Sequence, residues 1–451
     1  MIVATIPVAS LARRLAGPRE AHAFRSGAAE HALVVDGSRI YDMPEGFGAR
    51  LLEAAQRGGP AAERELLASF GLDREPAICP ELQAPPVRAL ALAVSEHCNL
   101  GCGYCYADGG SFGAQAQQMP WEVARQAVER LLEGEGGSAS LAFLGGEPLM
   151  NRKVLRRAVE HASALAERRG TALRLALTTN ATLLIEDDAE FLAEHGFAVT
   201  VSIDGERELH DALRPTRGGG GSYERIVSRL TPLLRRQGSP ARAGRASLQA
   251  SARVTVTARH RDLRATLEHL MALGFHSVGF APSLTSRDPA LALDAADLQA
   301  LLGQMIDCAR EFERRLLARE PYPFSNMLAA MQELQRGTHR PLPCGAGAGY
   351  LGVAADGAAS ACHRFVADPR AAMGSVQQGF DDAARAAWLE SRHVDRQEPC
   401  RSCWARYLCG GGCHHEVLNR GRVACDFIRG WLDHCLGAYV RLSAARPDAF
   451  N

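Results

Sequence analysis

The amino-acid sequence predicts an α/β protein: a partial barrel of six βα units, with a small strand-and-helix unit before it and a cysteine-rich domain after it. Three observations predict this. Strand-like and helix-like segments alternate from about residue 86 to about 320, the pattern of repeated βα units on a parallel sheet. Ahead of them lies Cys79-Pro-Glu-Leu-Gln-Ala-Pro-Pro86, too proline-rich for regular structure and read as a linker. Eight of the 13 cysteines fall after residue 340, where long apolar runs give out. Domains at 1–85, 86–320 and 321–451 follow.

In the first unit, His31–Asp36 and Arg39–Tyr41 are strand-like, and Phe47–Ala55 and Ala61–Leu67 have helical spacing, parted by Gly58-Gly59-Pro60. The barrel strands are expected at Ala89–Val94, Ser138–Phe143, Leu173–Thr178, Ala198–Ile203, Leu248–Val256 and Ser277–Ala281. Helices are expected at Trp121–Leu132, Val154–Arg168, Tyr223–Leu234 and Leu263–Leu273. Six strands are fewer than the closed eightfold barrel needs. Leu298–Leu317 reads as a long amphipathic helix, and the domain beyond it, poor in apolar runs, needs metal staples to hold its fold.

Bulk composition narrows the function. A chain of 451 residues implies two or three domains. With 47% hydrophobic and 23% charged residues it has the profile of a soluble globular protein. The 51 basic residues balance 51 acidic ones, so no global field draws it to nucleic acid or to anionic membranes. Lys153 is the only lysine and so the only candidate for Schiff-base chemistry. The apolar run Ile2–Ala12 is followed, not preceded, by Arg13 and Arg14, the reverse of a secretory signal. No window reaches the ~18 apolar residues of a membrane span. A reducing cytoplasm is the expected location, and there an odd number of cysteines points to metal binding rather than disulfides.

Directly after the first barrel strand the chain reads Cys98-Asn-Leu-Gly-Cys102-Gly-Tyr104-Cys105. Three thiolates within eight residues can hold three irons of a cubane and leave the fourth open to an outside amine and carboxylate. A zinc knuckle or a redox dithiol is the plain alternative. With its aromatic residue before the last cysteine, this loop resembles the signature of the radical S-adenosylmethionine (SAM) superfamily. The resemblance continues in order over about residues 88–285. Gly145-Gly146-Glu147-Pro148 after the second strand resembles the segment that holds the SAM amino group, glycine permitting close approach and the carboxylate accepting from the ammonium. Thr179-Asn180-Ala181 resembles a Thr-Asn-Gly segment, with alanine in place of glycine. Ser202-Ile-Asp204-Gly205 looks like the ribose and carboxylate contact, with Arg214 as carboxylate partner. Tyr104, Gly145, Gly146, Glu147, Asn180, Ser202, Asp204 and Arg214 are thus the expected SAM contacts, at the strand ends where parallel α/β folds place ligands.

Near the C-terminus, Cys400-x2-Cys403-x5-Cys409-x3-Cys413 precedes Cys425 and follows Cys344 and Cys362. The spacing is similar to the SPASM domain of peptide-modifying radical SAM enzymes, although a zinc ribbon would also use such cysteines. The resemblance implies three 4Fe–4S clusters. Cys98, Cys102 and Cys105 would hold the SAM cluster, Cys344, Cys362 and Cys413 a first auxiliary cluster, and Cys400, Cys403, Cys409 and Cys425 a second. The first auxiliary cluster then lacks a fourth ligand, for which Cys435, His339 or a substrate thiolate are candidates. In sulfatase-maturing members an aspartate base follows the cysteine that matches Cys362; here His363 stands there, a candidate proton acceptor or a hydrogen-bonding neighbour of the cluster. His414, His415 and Glu416 read as a solvated helix start.

The N-terminal unit resembles the winged-helix peptide-recognition element of peptide maturases, suited to adding a leader segment as a strand. Among such maturases the resemblance is to quinohemoprotein amine dehydrogenase maturation enzymes, which form thioethers between cysteine sulfur and acidic side-chain carbons. It implies a 5′-deoxyadenosyl radical, a ribosomally made peptide or small protein as substrate, and an electron donor such as flavodoxin or ferredoxin. Carbon–carbon cross-linking, side-chain oxidation and a non-catalytic iron–sulfur or zinc scaffold are the other readings.

Overall fold

The computed structural model describes residues 19–72, 83–133, 136–242 and 245–450. The Ile2–Ala12 run, and the linker up to residue 82, lie outside them. The chain packs as two units: one gathers the described part of Met1–Leu82 with Asp294–Cys344 and Glu390–Asn451, the other Gln83–Leu293 with Gly345–Leu389.

In the first unit β1 (Ala21–Ser26), β2 (Ala29–Val34) and β3 (Arg39–Met43) form an antiparallel sheet in that order. The sequence signalled only the last two of these strands, because β1 buries an alanine where a β-branched residue would have marked it. Helix α1 (Phe47–Ala68) is broken at Gly59 (φ 58°, ψ −142°) ahead of Pro60, so the two helical runs are distinct, as their spacing implies. Ala21, Ala32, Phe47, Leu51 and Leu67 form the core between sheet and helix.

The second unit carries the barrel strands β4 (Ala89–Ser95), β5 (Ser138–Gly145), β6 (Ala172–Thr179), β7 (Ala198–Ser202), β8 (Gln249–Val256) and β9 (Ser277–Pro282), all parallel and in sequence order. Between them run α2 (Trp121–Leu131), α3 (Arg152–Arg168), α4 (Glu186–Glu194), α5 (Arg207–Leu213), α6 (Tyr223–Arg235) and α7 (Leu263–Ala272). The two shortest, α4 and α5, have too few turns for periodicity to bound them in the sequence.

The sheet continues past β4. Strand β10 (Tyr350–Val353) pairs parallel to it, and β11 (Ala358–Ser360), β12 (Ala372–Ser375) and β13 (Gly379–Phe380) extend the sheet antiparallel to ten strands. This grouping differs from the expected linear division at residues 85 and 320. An unpaired β4 edge would leave a row of backbone donors and acceptors open, and a distant strand closes it. The long amphipathic α8 (Ala295–Leu317), capped by Asp294 and Asp297, packs on α13 (Cys425–Ala445) within the first unit. Also in that unit are α9 (Ser325–Gln335), α11 (Arg406–Cys409) and α12 (His414–Arg420); α10 (Asp382–Arg392) bridges the boundary in sequence. No helix among the described residues is long and apolar enough to cross a membrane.

Candidate active site

The cysteine loop leaves the carboxyl end of β4 and is fixed by backbone. Gly146 N donates to Ser95 O and Glu147 N to His97 O, each at 2.8 Å. Gly145 adopts φ 139°, and a Cβ there would overlap Ser95 O. A Cβ on Gly146 would overlap His97 O and lie 2.8 Å from Cys98 N. These glycines therefore let one loop press on the backbone that leads into Cys98. The sequence reading had assigned that closeness to a ligand. Glu147 is fully buried, accepting from Leu149 N (3.0 Å), Thr179 Oγ1 (2.7 Å) and Asn180 N (2.8 Å). Burial raises its pKa against those hydrogen bonds. Its carboxylate faces the protein's own donors, so it organises the loop rather than presenting itself to an ammonium.

Cys98, Cys102 and Cys105 are all partly exposed. Burial pushes the Cys98 thiol up and that of Cys102 to about 11, with Cys105 adding to both and Arg214 opposing. The structure thus brings the three sulfurs within electrostatic reach of one another. Three thiols supplied by one loop are the donor set of an iron–sulfur cluster, and they fit that group. Asn180 Nδ2 donates to Cys98 Sγ at 3.7 Å and to Asn99 Oδ1 at 3.0 Å, while its Oδ1 accepts from Thr182 N at 2.9 Å. Ala181 sits at φ 59°, in the left-handed region that glycine occupies without steric cost.

The other expected contacts form a buried network around Tyr104. Its hydroxyl donates to Asp204 Oδ2 and accepts from Arg214 Nη1, both through short hydrogen bonds. Asp204, wholly buried, also accepts from Thr255 N at 3.0 Å and lies 3.9 Å from Arg214 Nη1. Burial opposes the charge of Arg214, but Tyr104, Cys102 and Asp204 hold its pKa well above the ordinary value. One atom is left over: Arg214 Nε is buried without a hydrogen-bond partner. An orphaned donor beside the cysteine loop fits the carboxylate of a bound amino acid. Ser202 ends β7 half-buried. Asp204 acts on Tyr104 and Arg214, not on a ligand-accessible surface. Sequence reasoning missed His210 and His260, which fix the Asp204 backbone: Asp204 N donates to His210 Nδ1 (3.2 Å), and His260 Nε2 meets Asp204 O (3.0 Å). The string His210-Asp211-Ala-Leu-Arg214 was the available signal.

His363 lies on the same unit. Its Nδ1 is 2.5 Å from Tyr350 Oη. Burial first, then Arg364 and Arg253, lower its pKa to about 4, so the ring is neutral at neutral pH and a weak base. Arg364 stacks 4.7 Å from the ring centre of Tyr106, the residue after Cys105.

In the first unit Cys400, Cys403, Cys409 and Cys425 act on one another electrostatically, and burial above all raises Cys400 to about 12. Arg429 hydrogen-bonds Cys403. A Cβ on Gly410 (φ 68°) would overlap the Leu342–Pro343 backbone, and Arg340 N donates to Tyr407 O at 3.1 Å, so the segment ending at Cys344 runs along the Cys403–Cys413 loop. Cys344 and Cys413 are exposed; Cys362 belongs to the other unit. His414, His415 and Glu416 are buried, against the expected solvated start. Burial, with Arg392 and Arg422, lowers His414 to about 4; a short helix between cysteine loops has no open face.

Residues 92–241 match the model of the Radical SAM superfamily. The chain carries a radical SAM domain on the radical SAM fold, which implies SAM and a 4Fe–4S cluster as cofactors. It is 27% identical over 430 residues to an uncharacterized protein of Archaeoglobus fulgidus, covering 88% of this chain and 91% of that one. It is 30% identical over 145 residues to the cysteine-type anaerobic sulfatase-maturating enzyme of Clostridium perfringens strain 13, covering 32% of this chain and 39% of the enzyme. The chain thus spans less than half of that enzyme's length. The solved structure of native anSMEcpe with bound AdoMet and Kp18Cys peptide superposes with TM-score 0.64 at 20% identity, over 80% of this chain and 99% of that one. That likeness is one of fold.

Proposed function

We propose that the protein is a radical SAM maturase that joins a cysteine sulfur to a side-chain carbon within a ribosomally made peptide or small protein. The observation that carries the radical assignment is a loop of three mutually interacting thiols beside a buried arginine with an orphaned donor. Cys98, Cys102 and Cys105 would hold the cluster, and Arg214 Nε would donate to the SAM carboxylate. When bound, SAM and a reduced cluster would supply the oxidising power for hydrogen-atom removal from the substrate, and an auxiliary cluster would supply the electron acceptor that carbon–sulfur bonding requires. Asn180 steadies Cys98, and Tyr104 holds Arg214 and Asp204 in register.

The fold likeness to a protein solved with a peptide supports a peptide substrate. So does the free edge of β3, which among the described residues pairs only with β2 and could take a leader segment as an added strand. Thioether chemistry is supported by the ligand count. Cys435 is fully buried on α13. His339 accepts from Gly37 N at 3.1 Å and lies on the Tyr407 ring at 3.9 Å. With both engaged, a substrate thiolate is the favoured fourth ligand of the first auxiliary cluster, and ligation would deprotonate it. At a pKa of about 4, His363 is poorly matched to a general base working at neutral pH, so we assign it to orienting Tyr350 beside Cys362.

Anaerobic reconstitution with SAM and a reductant should yield 5′-deoxyadenosine, and the variant with Cys98, Cys102 and Cys105 all changed to alanine should yield none. Equal product from both refutes the assignment. In the cross-linked peptide, loss of one titratable thiol marks a thioether, and full thiol retention marks carbon–carbon coupling.

A further inference from the structure

The site of Cys400, Cys403, Cys409 and Cys425 differs from the N-terminal one in charge. A cluster held by four thiolates carries one negative charge more than a cluster held by three, and net charge and hydrogen bonds to the sulfurs set how readily such a centre takes up an electron. The residues around these four cysteines oppose the extra charge. Arg422 acts on Cys400 and Cys425, and Arg429 on Cys403 and Cys425. Asp426 pairs with Arg429 but is exposed, so water screens it and the offset is partial. At Cys98 and Cys102 the arginine is Arg214, and there the fully buried carboxylates of Glu147 and Asp204 act against it.

Geometry fixes these groups in place. Arg422 Nη1 donates to Gly411 O and Nη2 to Gln397 Oε1, each at 2.6 Å, which ties it to the chain on both sides of Cys400 and Cys409. Gly410, Gly411 and Gly412 stand in the left-handed region at φ 68°, 95° and 78°, and successive backbone N–H groups in such turns form a concave receptor for anions. Cys409 accepts from two of them, Gly411 N and Gly412 N. A Cβ on Gly411 would lie 4.0 Å from Cys400 Sγ, so the same turn runs beside a second thiol. Arg429 follows Cys425 by one turn of α13. Its Nε is buried without a hydrogen-bond partner. The sulfides of a cluster held by the neighbouring thiols are acceptors that suit such an orphaned donor.

We propose that Arg422 and Arg429 are positioning residues for electron transfer: with the Gly411 and Gly412 amides they offset the fourth thiolate and raise the reduction potential of the cluster on Cys400, Cys403, Cys409 and Cys425. This deepens the function proposed above, rests on its cluster assignment, and gives the acceptor role to this centre. For each carbon–sulfur bond formed, one hydrogen atom leaves the carbon for the cofactor, one proton leaves the sulfur for solvent, and one electron comes to rest here.

The test uses the full chain with Cys98, Cys102 and Cys105 changed to alanine, reconstituted without oxygen and titrated to set potentials under electron paramagnetic resonance. The transition that a further Cys425→Ala change removes belongs to this site. Arg422→Gln and Arg429→Gln should each make reduction about tenfold harder, as loss of a nearby, partly buried charge implies, a fall in midpoint of about 59 mV for one electron. Arg429→Lys keeps the charge and should recover most of that fall; if Arg429→Gln loads no iron, Arg422→Gln and Arg429→Lys carry the measurement. Arg401→Gln removes an exposed cation next to Cys400 and should change reduction by less than about twofold, because salt and water screen it. Unmoved midpoints in the glutamine variants, an Arg429→Lys midpoint as low as that of Arg429→Gln, or an equal fall in Arg401→Gln would each overturn the proposal and leave the cluster assignment standing. Zinc without iron at these cysteines would sink that assignment and the proposal with it.

Discussion

Replacing Gly146 by alanine adds one methyl group where it meets only backbone. Gly146 does not occupy the left-handed region, so alanine is conformationally acceptable and the effect is purely steric. The new Cβ would overlap His97 O and lie 2.5 Å from His97 C and 2.8 Å from Cys98 N. No side-chain rotation relieves those contacts; the strand end or the Gly145–Pro148 loop must move by roughly 1 Å, twice the ~0.5 Å tolerance of a working site. Overpacking of this kind costs about 1–3 kcal/mol. Taking the upper half of that range, and about 2–4 °C per kcal/mol for a unit of this size, melting should fall by roughly 4–12 °C. Iron bound after anaerobic reconstitution should drop by the share of the N-terminal cluster, with the C-terminal centres retained. Gly303→Ala is the control: nothing lies within 4 Å of a Cβ there, and it sits inside α8, so helix propensity should raise stability by about 0.5–1 kcal/mol. If Gly146→Ala melts with the wild type and keeps its full iron content, the claim that this loop fixes the cysteines by contact is refuted.

Tyr104→Phe removes the hydroxyl that links Asp204 to Arg214; leaving two buried charged groups short of a partner should cost about 1–3 kcal/mol and weaken SAM binding, measured by equilibrium dialysis on the reconstituted protein. His210, neutral in the folded state because burial and then Arg214 lower its pKa to about 4, should make stability depend on pH. The unfolded histidine takes up a proton near pH 6.5 and the folded one does not, so its contribution is intact above about 6.5 and is lost as pH falls toward 4, by about 3 kcal/mol at most. Urea midpoints across that range should decline in the wild type and decline less steeply in His210→Asn. Ala181→Gly should be nearly neutral, because relief of the φ 59° conformation, worth about 1–2 kcal/mol, offsets the lost methyl burial and added chain entropy; an ordinary loss of about 1 kcal/mol in chemical unfolding would contradict that.

What could be read from the sequence depended on how local its physical cause is. Cys98, Cys102 and Cys105 were legible because one loop supplies all three thiols, and the barrel strands because each is a short apolar run between helical patterns. Gly145 and Gly146 were legible as positions but not in purpose, since the atoms they accommodate belong to residues 95–98, about fifty positions upstream. Asp204 and Arg214 were found, yet their main partner, Tyr104, lies 100 and 110 residues away, and no spacing rule joins them. The closure of β4 by β10, from Tyr350 onward, was hidden for the same reason, as was the burial of His414–Glu416, whose polarity suggested water.

These hidden contacts share a logic. The second unit encloses Glu147, Asp204, His210, Arg214 and His260, each buried and each with a partner inside the protein. A satisfied buried polar network tolerates few alternative arrangements, because displacing one member strands the others. Around the cysteine loop this makes the strand ends rigid without filling the lumen, where Thr178, Thr200 and Ser202 stay at least partly exposed. A reactive radical needs both properties: reacting groups fixed to within a fraction of an ångström, and an interior still open to a substrate side chain. In the described network the orphaned Nε of Arg214 stands out among these partnered groups, which places the remaining binding capacity beside the thiols, where a cofactor carboxylate would complete it.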